Sequence, residues 1–195
     1  MDDIKQWKKD NLDTISCTFC TAKWKQVTLH LHNGHTHSCH HPTSHKIPLK
    51  ELKDNPSALH NTQFKKEQRK LMLEGKRPAE CDYCWRVEDS APNALSDRTY
   101  KSYEPWAQPH IQDIVSSPWD ANINPSYLEV SFSSVCNLKC SYCSPQVSSK
   151  WMEEIKEYGH YPTSGKFNDI SWLEKNDAMP IPNRENNPYV EAFWK

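Results

Sequence analysis

The chain has 195 residues, a formal net charge of −1 and a pI near 6.8. That length suits one domain or two small ones, and the matched charges exclude the basic footprint of a nucleic-acid binder. Leu, Ile, Val and Phe contribute 33 residues, about 17% of the chain, which is under the rough 20% line that signals disorder only when net charge is also high. No run approaches ~18 apolar residues, so a membrane span is excluded along with a collagen or a coiled coil. What remains is a globular chain with a thin aliphatic core, eight Trp and eight Tyr in partial replacement, and eight Cys. Such a chain needs a source of stability beyond apolar burial.

Residues 1–16 contain no apolar signal segment and are expected to form a tail. Without export the chain belongs in a reducing compartment, the cytoplasm, where cysteines serve as metal ligands or catalytic groups more often than as disulfides. Cys17 and Cys20 form a C-x2-C pair, and Val27 to His32 alternates as a strand does. Asn33-Gly34 is a strong hairpin turn, with the glycine supplying positive φ. Cys20 and Cys39 therefore stand on either side of a hairpin. Seven of the ten His fall between His30 and His45, a tract read as an exposed hairpin and loop open to adventitious nickel or zinc. Asn55-Pro56 looks like a cap with proline at the first helical position. Gln63 to Glu74 is rich in helix formers and ends at Gly75. Lys65, Lys66, Arg69 and Lys70 give that helix a basic face, expected to be solvated because Glu67 and Glu74 dilute it. Cys81-Asp-Tyr-Cys84 is a second C-x2-C pair, followed by Trp85, which would shield a metal site from water.

Residues 105–126 read as a linker. Tyr127 to Phe132 alternates as a strand, and Cys136, Cys140 and Cys143 follow as C-x3-C-x2-C. Three thiolates so close can converge on one centre. Thiolates are soft ligands suited to iron–sulfur or zinc, and three ligands leave one metal position open. Lys139 inside this loop would favour the thiolate form. Trp151, Ile155 and Tyr158 recur at helical spacing before Gly159. Asn176 to Pro188, with two internal prolines, is expected to be loop.

C-x3-C-x2-C with Tyr142 before its last cysteine resembles the signature of the radical S-adenosylmethionine (SAM) superfamily. The order of strand, cysteine loop and helix is also similar to that family. The resemblance implies that Cys136, Cys140 and Cys143 hold a 4Fe-4S cluster whose remaining iron binds SAM, with Tyr142 beside the adenine. The 13 residues between Cys20 and Gly34 and the four between Gly34 and Cys39, with Cys81-x2-Cys84 and then Trp85, Glu88, Ser96 and Arg98, resemble the SPASM/twitch auxiliary-cluster modules. This second resemblance implies an auxiliary 4Fe-4S cluster on Cys20, Cys39, Cys81 and Cys84.

The implied fold is mixed, α+β with an α/β part. A twitch-like hairpin and helices around a cysteine cluster (residues 17–104) precede the first β-loop-α unit of a radical SAM (β/α) barrel (127–195). The implied activity is an enzyme that cleaves SAM reductively for hydrogen abstraction. Its substrate would be a peptide, a protein or a small molecule, and it would need an electron donor but neither nucleic acid nor membrane. Three features depart from the family. Cys17 is an extra cysteine that could build a zinc-ribbon-like set with Cys20, Cys81 and Cys84. The cysteine module precedes the barrel start instead of following it. The Gly-Gly-Glu segment is absent, and 52 residues after Cys143 are too few to close a barrel, so a partial chain is expected. The alternative reading is a zinc- or iron–sulfur-binding module without catalysis.

Overall fold

The computed structural model describes residues 2–165, 167–182 and 185–195. Among these residues the fold is mixed, with ten α-helices and one four-stranded sheet. In chain order the elements are α1 (Asp2–Asn11), α2 (Ala22–Lys25), β1 (Gln26–His30), β2 (His35–His37), β3 (His45–Lys46), α3 (Leu49–Asp54), α4 (Gln63–Leu73), α5 (Asp82–Asp89), α6 (Asp97–Tyr103), α7 (Ile111–Ser116), β4 (Tyr127–Ser131), α8 (Ser149–Tyr158), α9 (Ile170–Lys175) and α10 (Pro188–Phe193). The sheet order is β3-β2-β1-β4. β1 and β2 are joined by the turn at Asn33-Gly34, where Gly34 has a φ of 71°. A Cβ at Gly34 would also fall 2.1 Å from the Tyr189 ring, so the position needs glycine twice over. Ser126 N–H donates to Lys25 O (2.9 Å) and Leu31 N–H donates to Ser131 O (2.9 Å). Those bonds advance in the same direction along both segments, so β1 and β4 run parallel. The long connection between them is what a parallel pair requires.

Local chemistry accounts for most element ends. Thr62 caps α4, accepting the Lys65 N–H at 3.2 Å. Gly75 ends it at a φ of 72°, with Lys76 N–H reaching back to Leu71 O (2.9 Å). Ser148 caps α8, and Gly159 terminates it at a φ of 85°. Asn55-Pro56 starts only a 3₁₀ turn, Pro56–Leu59, and the Asn55 side chain makes no capping bond there.

The chain divides into two compact units, residues 1–28 with 36–129 and residues 29–35 with 130–195. The core of the first unit is Leu12, Phe19, Trp24, Met72, Trp85, Ile111 and Ile114, with Cys20, Cys81 and Cys84 among them. The opening segment, expected as a tail, folds as α1 and delivers Leu12 to this core. The expected linker 105–126 contains α7, whose Ile111 and Ile114 are buried there too. In the second unit Met152, Leu173 and Ala178 form one buried cluster. Among the described residues the expected loop from Asn176 to Pro188 is free of helix and strand up to Asn187, Pro188 instead opening α10; Asn183 and Arg184 lie outside the description. No helix among the described residues is long and apolar enough to cross a membrane.

Two expectations are corrected. The basic face of α4 is solvated only in part: Lys70 is exposed and Lys66 half-buried, while Lys65 and Arg69 are buried. Lys65 Nζ donates to Thr36 Oγ1 (2.8 Å), and burial depresses its pKa well below the ordinary lysine value. Arg69 Nε donates to Lys23 O (3.2 Å), while its Nη1 donates to Asn61 Oδ1 (2.7 Å). Both residues turn inward because carbonyl, amide and hydroxyl acceptors face them across the core, which a charge count along the helix cannot register. The histidine tract is likewise not an exposed loop, for only His40 in it is exposed and His32 and His35 are buried. His32 bonds Ser131 Oγ (3.1 Å) and His35 bonds the Asp177 carbonyl (2.9 Å). Imidazole enters a core readily once a ring nitrogen has a partner.

Candidate metal centres

In the first unit Cys20, Cys39, Cys81 and Cys84 line one cavity that opens partly to solvent. Each cysteine arrives from a different local device. Cys20 precedes α2, Cys39 follows β2, Cys81 closes a 3₁₀ turn and Cys84 lies one turn into α5. All eight cysteines are free thiols. Burial is the main cause that pushes Cys20 up to about 12, with the neighbouring Cys39, Cys81 and Cys84 adding to it. Cys39, Cys81 and Cys84 are also raised, first by burial. Cys39 and Cys84 add to the rise at Cys81, and Cys39 adds to the rise at Cys84, as expected of thiols that line one cavity. A metal offsets that cost by replacing the protons.

The cavity wall supplies positive charge. Lys23 is buried, ion-paired to Glu80, and its Nζ lies 3.7 Å from Cys81 Sγ. Arg98 is buried in a two-pronged pair with Glu88, Nε to Oε1 at 2.6 Å and Nη2 to Oε2 at 3.0 Å. It also donates from Nη1 to Phe19 O (2.7 Å) and from Nη2 to Cys17 O (2.9 Å). Ser96 Oγ donates to the same Glu88 carboxylate. Glu88, Ser96 and Arg98 thus fasten the backbone around Cys20 to the helix that carries Cys84. Trp85 forms part of the wall and anchors its indole N–H on Pro78 O (2.9 Å). Cys17 is exposed, does not line the cavity, and has its thiol 3.9 Å from Gly75 O.

Four thiolates are a donor set that fits either one zinc ion or a 4Fe-4S cluster. Four thiolates on one tetrahedral zinc at ~2.3 Å would sit about 3.8 Å apart. Among the described residues the one group of three or more candidate ligand atoms within 4.8 Å of one another is His40, His41 and Asp97. No three of the cavity thiols lie that close to one another.

In the second unit Cys136, Cys140 and Cys143 occupy the loop between the end of β4 and the start of α8, all half-buried. That loop is tied to the first turn of α8. Cys136 N–H donates to Ser149 Oγ (3.2 Å), and Ser149 Oγ donates back to Cys136 O (2.9 Å). Ser148 Oγ donates to Leu138 O (2.8 Å), and the Trp151 indole N–H donates to Cys140 O (3.0 Å). Tyr142 is 91% exposed, and its phenol is pushed up by a hydrogen bond with Cys140 and by the nearby Cys143 and Cys136. Lys139 is ion-paired with Glu154.

Sequence reasoning named every cysteine of both sets but missed the buried Lys23, the Arg69 contacts and the His40–His41–Asp97 group. Only the last had a visible signal, two consecutive histidines directly after Cys39. Comparison with known proteins gives no match to a family model, a curated protein or a solved structure.

Proposed function

We propose that this chain is an iron–sulfur protein of the radical SAM type, with a SAM-binding cluster on Cys136, Cys140 and Cys143 and an auxiliary cluster on Cys20, Cys39, Cys81 and Cys84. The observation that carries the reading is the contrast between the two thiol sets. One set is complete, with four inward cysteines in a cavity walled by cations and Trp85. The other has three thiols in a half-open loop at the end of a strand, beside an exposed tyrosine. A complete set suits a closed structural or electron-transfer site, and an incomplete one leaves a position for an exchangeable ligand.

The SAM-bound cluster supplies, once reduced, homolytic cleavage of SAM to methionine and a 5′-deoxyadenosyl radical for hydrogen abstraction from a peptide, protein or small-molecule substrate. The chain's own residues position and protect. Ser148, Ser149 and Trp151 hold the cysteine loop on α8 by four side-chain hydrogen bonds. Tyr142 offers an open ring face for stacking against adenine. In the first unit Lys23 and Arg98 offset the thiolate charge, and Trp85 limits water, which together set the potential of the auxiliary centre. β4 has a neighbour on one edge only among the described residues, and further parallel strands of a barrel would add along the other.

The test is electron paramagnetic resonance of the anaerobically reconstituted, dithionite-reduced chain with and without SAM. The expected result is a cluster signal that SAM shifts, a shift that the Cys136→Ala/Cys140→Ala/Cys143→Ala variant loses. A colourless protein carrying stoichiometric zinc would instead establish the non-catalytic metal module.

A further inference from the structure

We propose that His40, His41 and Asp97 form a thiolate-free site for a divalent transition-metal ion at the rim of the four-cysteine cavity. Their candidate ligand atoms all lie within 4.8 Å of one another. His41 Nε2 is 2.8 Å and His40 Nε2 is 3.4 Å from the same oxygen, Asp97 Oδ2. Bonds of ~2.0–2.2 Å to one ion place neighbouring ligand atoms about 3–3.5 Å apart, so little movement is needed to close on a metal.

The scaffold is partly set in advance. Asp97 is the first residue of α6, and the His41 ring stacks on Tyr83 with centroids 3.7 Å apart and planes at 14°. The His40 and His41 rings are 4.1 Å apart. A simple His–Asp hydrogen bond accounts for His41. It does not account for His40, which is exposed yet turns to the same carboxylate oxygen. Lys101, one turn along α6, lines the same cavity, as do Lys23 and Arg98, and these cations oppose an ion here.

Two imidazoles and a carboxylate suit zinc, iron(II), nickel or copper, and a set without thiolate distinguishes this site from both cysteine centres. Three protein ligands leave at least one position for water or an exogenous group. Because His41 and Asp97 line the cavity with Cys39, an ion held there adds positive charge at its mouth. The site does not depend on which metal the cysteines hold.

The experiment is a cobalt(II) titration of the full chain followed by electronic absorption. Cysteine-bound cobalt gives an intense near-ultraviolet thiolate charge-transfer band, whereas this site gives only weak visible bands. The expected result is one equivalent of the thiolate-free class. Asp97→Asn and His41→Ala each weaken it by about 10–100-fold or more, and the thiolate-bound class persists as an internal check on the fold. His30→Ala and His45→Ala, which remove other histidines of the tract, leave it intact. The proposal is overturned if no thiolate-free class appears, if Asp97→Asn leaves it unchanged, or if the His30 and His45 variants remove it.

Discussion

Replacing Arg69 by methionine tests whether the buried polar network beneath the four-cysteine cavity holds it together. Arg69 has 0% exposure, and its guanidinium serves Lys23 O, Asn61 Oδ1 and His60 O at 3.2, 2.7 and 3.3 Å. Methionine keeps the length of the stem and removes the fork. Asn61 Oδ1 keeps a donor, the Ile123 N–H at 3.1 Å. The carbonyls of Lys23 and His60 lose theirs, and an unsatisfied buried acceptor costs about 1–3 kcal/mol. Relief of a desolvated charge offsets part of that loss. The net expectation is a destabilisation of about 2–4 kcal/mol, read from urea unfolding of the metal-free chain. Since Lys23 carries both the Arg69 contact and the approach to Cys81 Sγ, iron retained after reconstitution should fall as well. An Arg69→Met chain as stable as the parent, with full iron, would refute the reasoning. It would mean the guanidinium is a tolerated passenger in the core.

Glu88→Gln leaves the buried Arg98 without its counter-charge, and breaking such a pair costs about 3–5 kcal/mol. A drop in thermal midpoint with early loss of the auxiliary centre is expected, and an unchanged midpoint would contradict it. The metal-free chain should also lose stability in alkali. Cys20 is held protonated up to about 12 against an ordinary 9.0. The fold therefore binds the proton more tightly than the unfolded chain does. That contribution is complete below pH 9 and disappears as pH rises toward 12, to a total of about 4 kcal/mol. Urea midpoints at pH 8 and pH 10.5 measure the slope, which Cys20→Ala should flatten; an equal slope in that variant would contradict the assignment.

Much of the fold was legible where one signal dominated. The Asn33-Gly34 turn, α4 with its Gly75 stop, β4 and α8 all follow from alternation, helical spacing and glycine at positive φ. The placement of Cys20, Cys39, Cys81 and Cys84 on one cavity follows the spacing of the cysteines and the hairpin between the first two. What failed to show were features decided across the chain. Lys65 and Arg69 read as a solvated face because a charge pattern does not reveal that Thr36, Asn61 and the Lys23 carbonyl wait opposite. The histidine tract read as exposed because its partners, Ser131, Asp177, Asp97 and Thr62, are distant in sequence. α1 and α7 read as tail and linker because each contributes only a few apolar residues, Leu12 from the end of one and Ile111 and Ile114 from the other.

The most direct test of two separate cysteine centres is the iron and acid-labile sulfide content of the anaerobically reconstituted chain beside that of its Cys136→Ala/Cys140→Ala/Cys143→Ala variant. The account predicts about eight iron and eight sulfide per chain, two 4Fe-4S clusters' worth, falling by half in the variant. Loss of all iron in the variant, or zinc in place of iron in the parent, would contradict it.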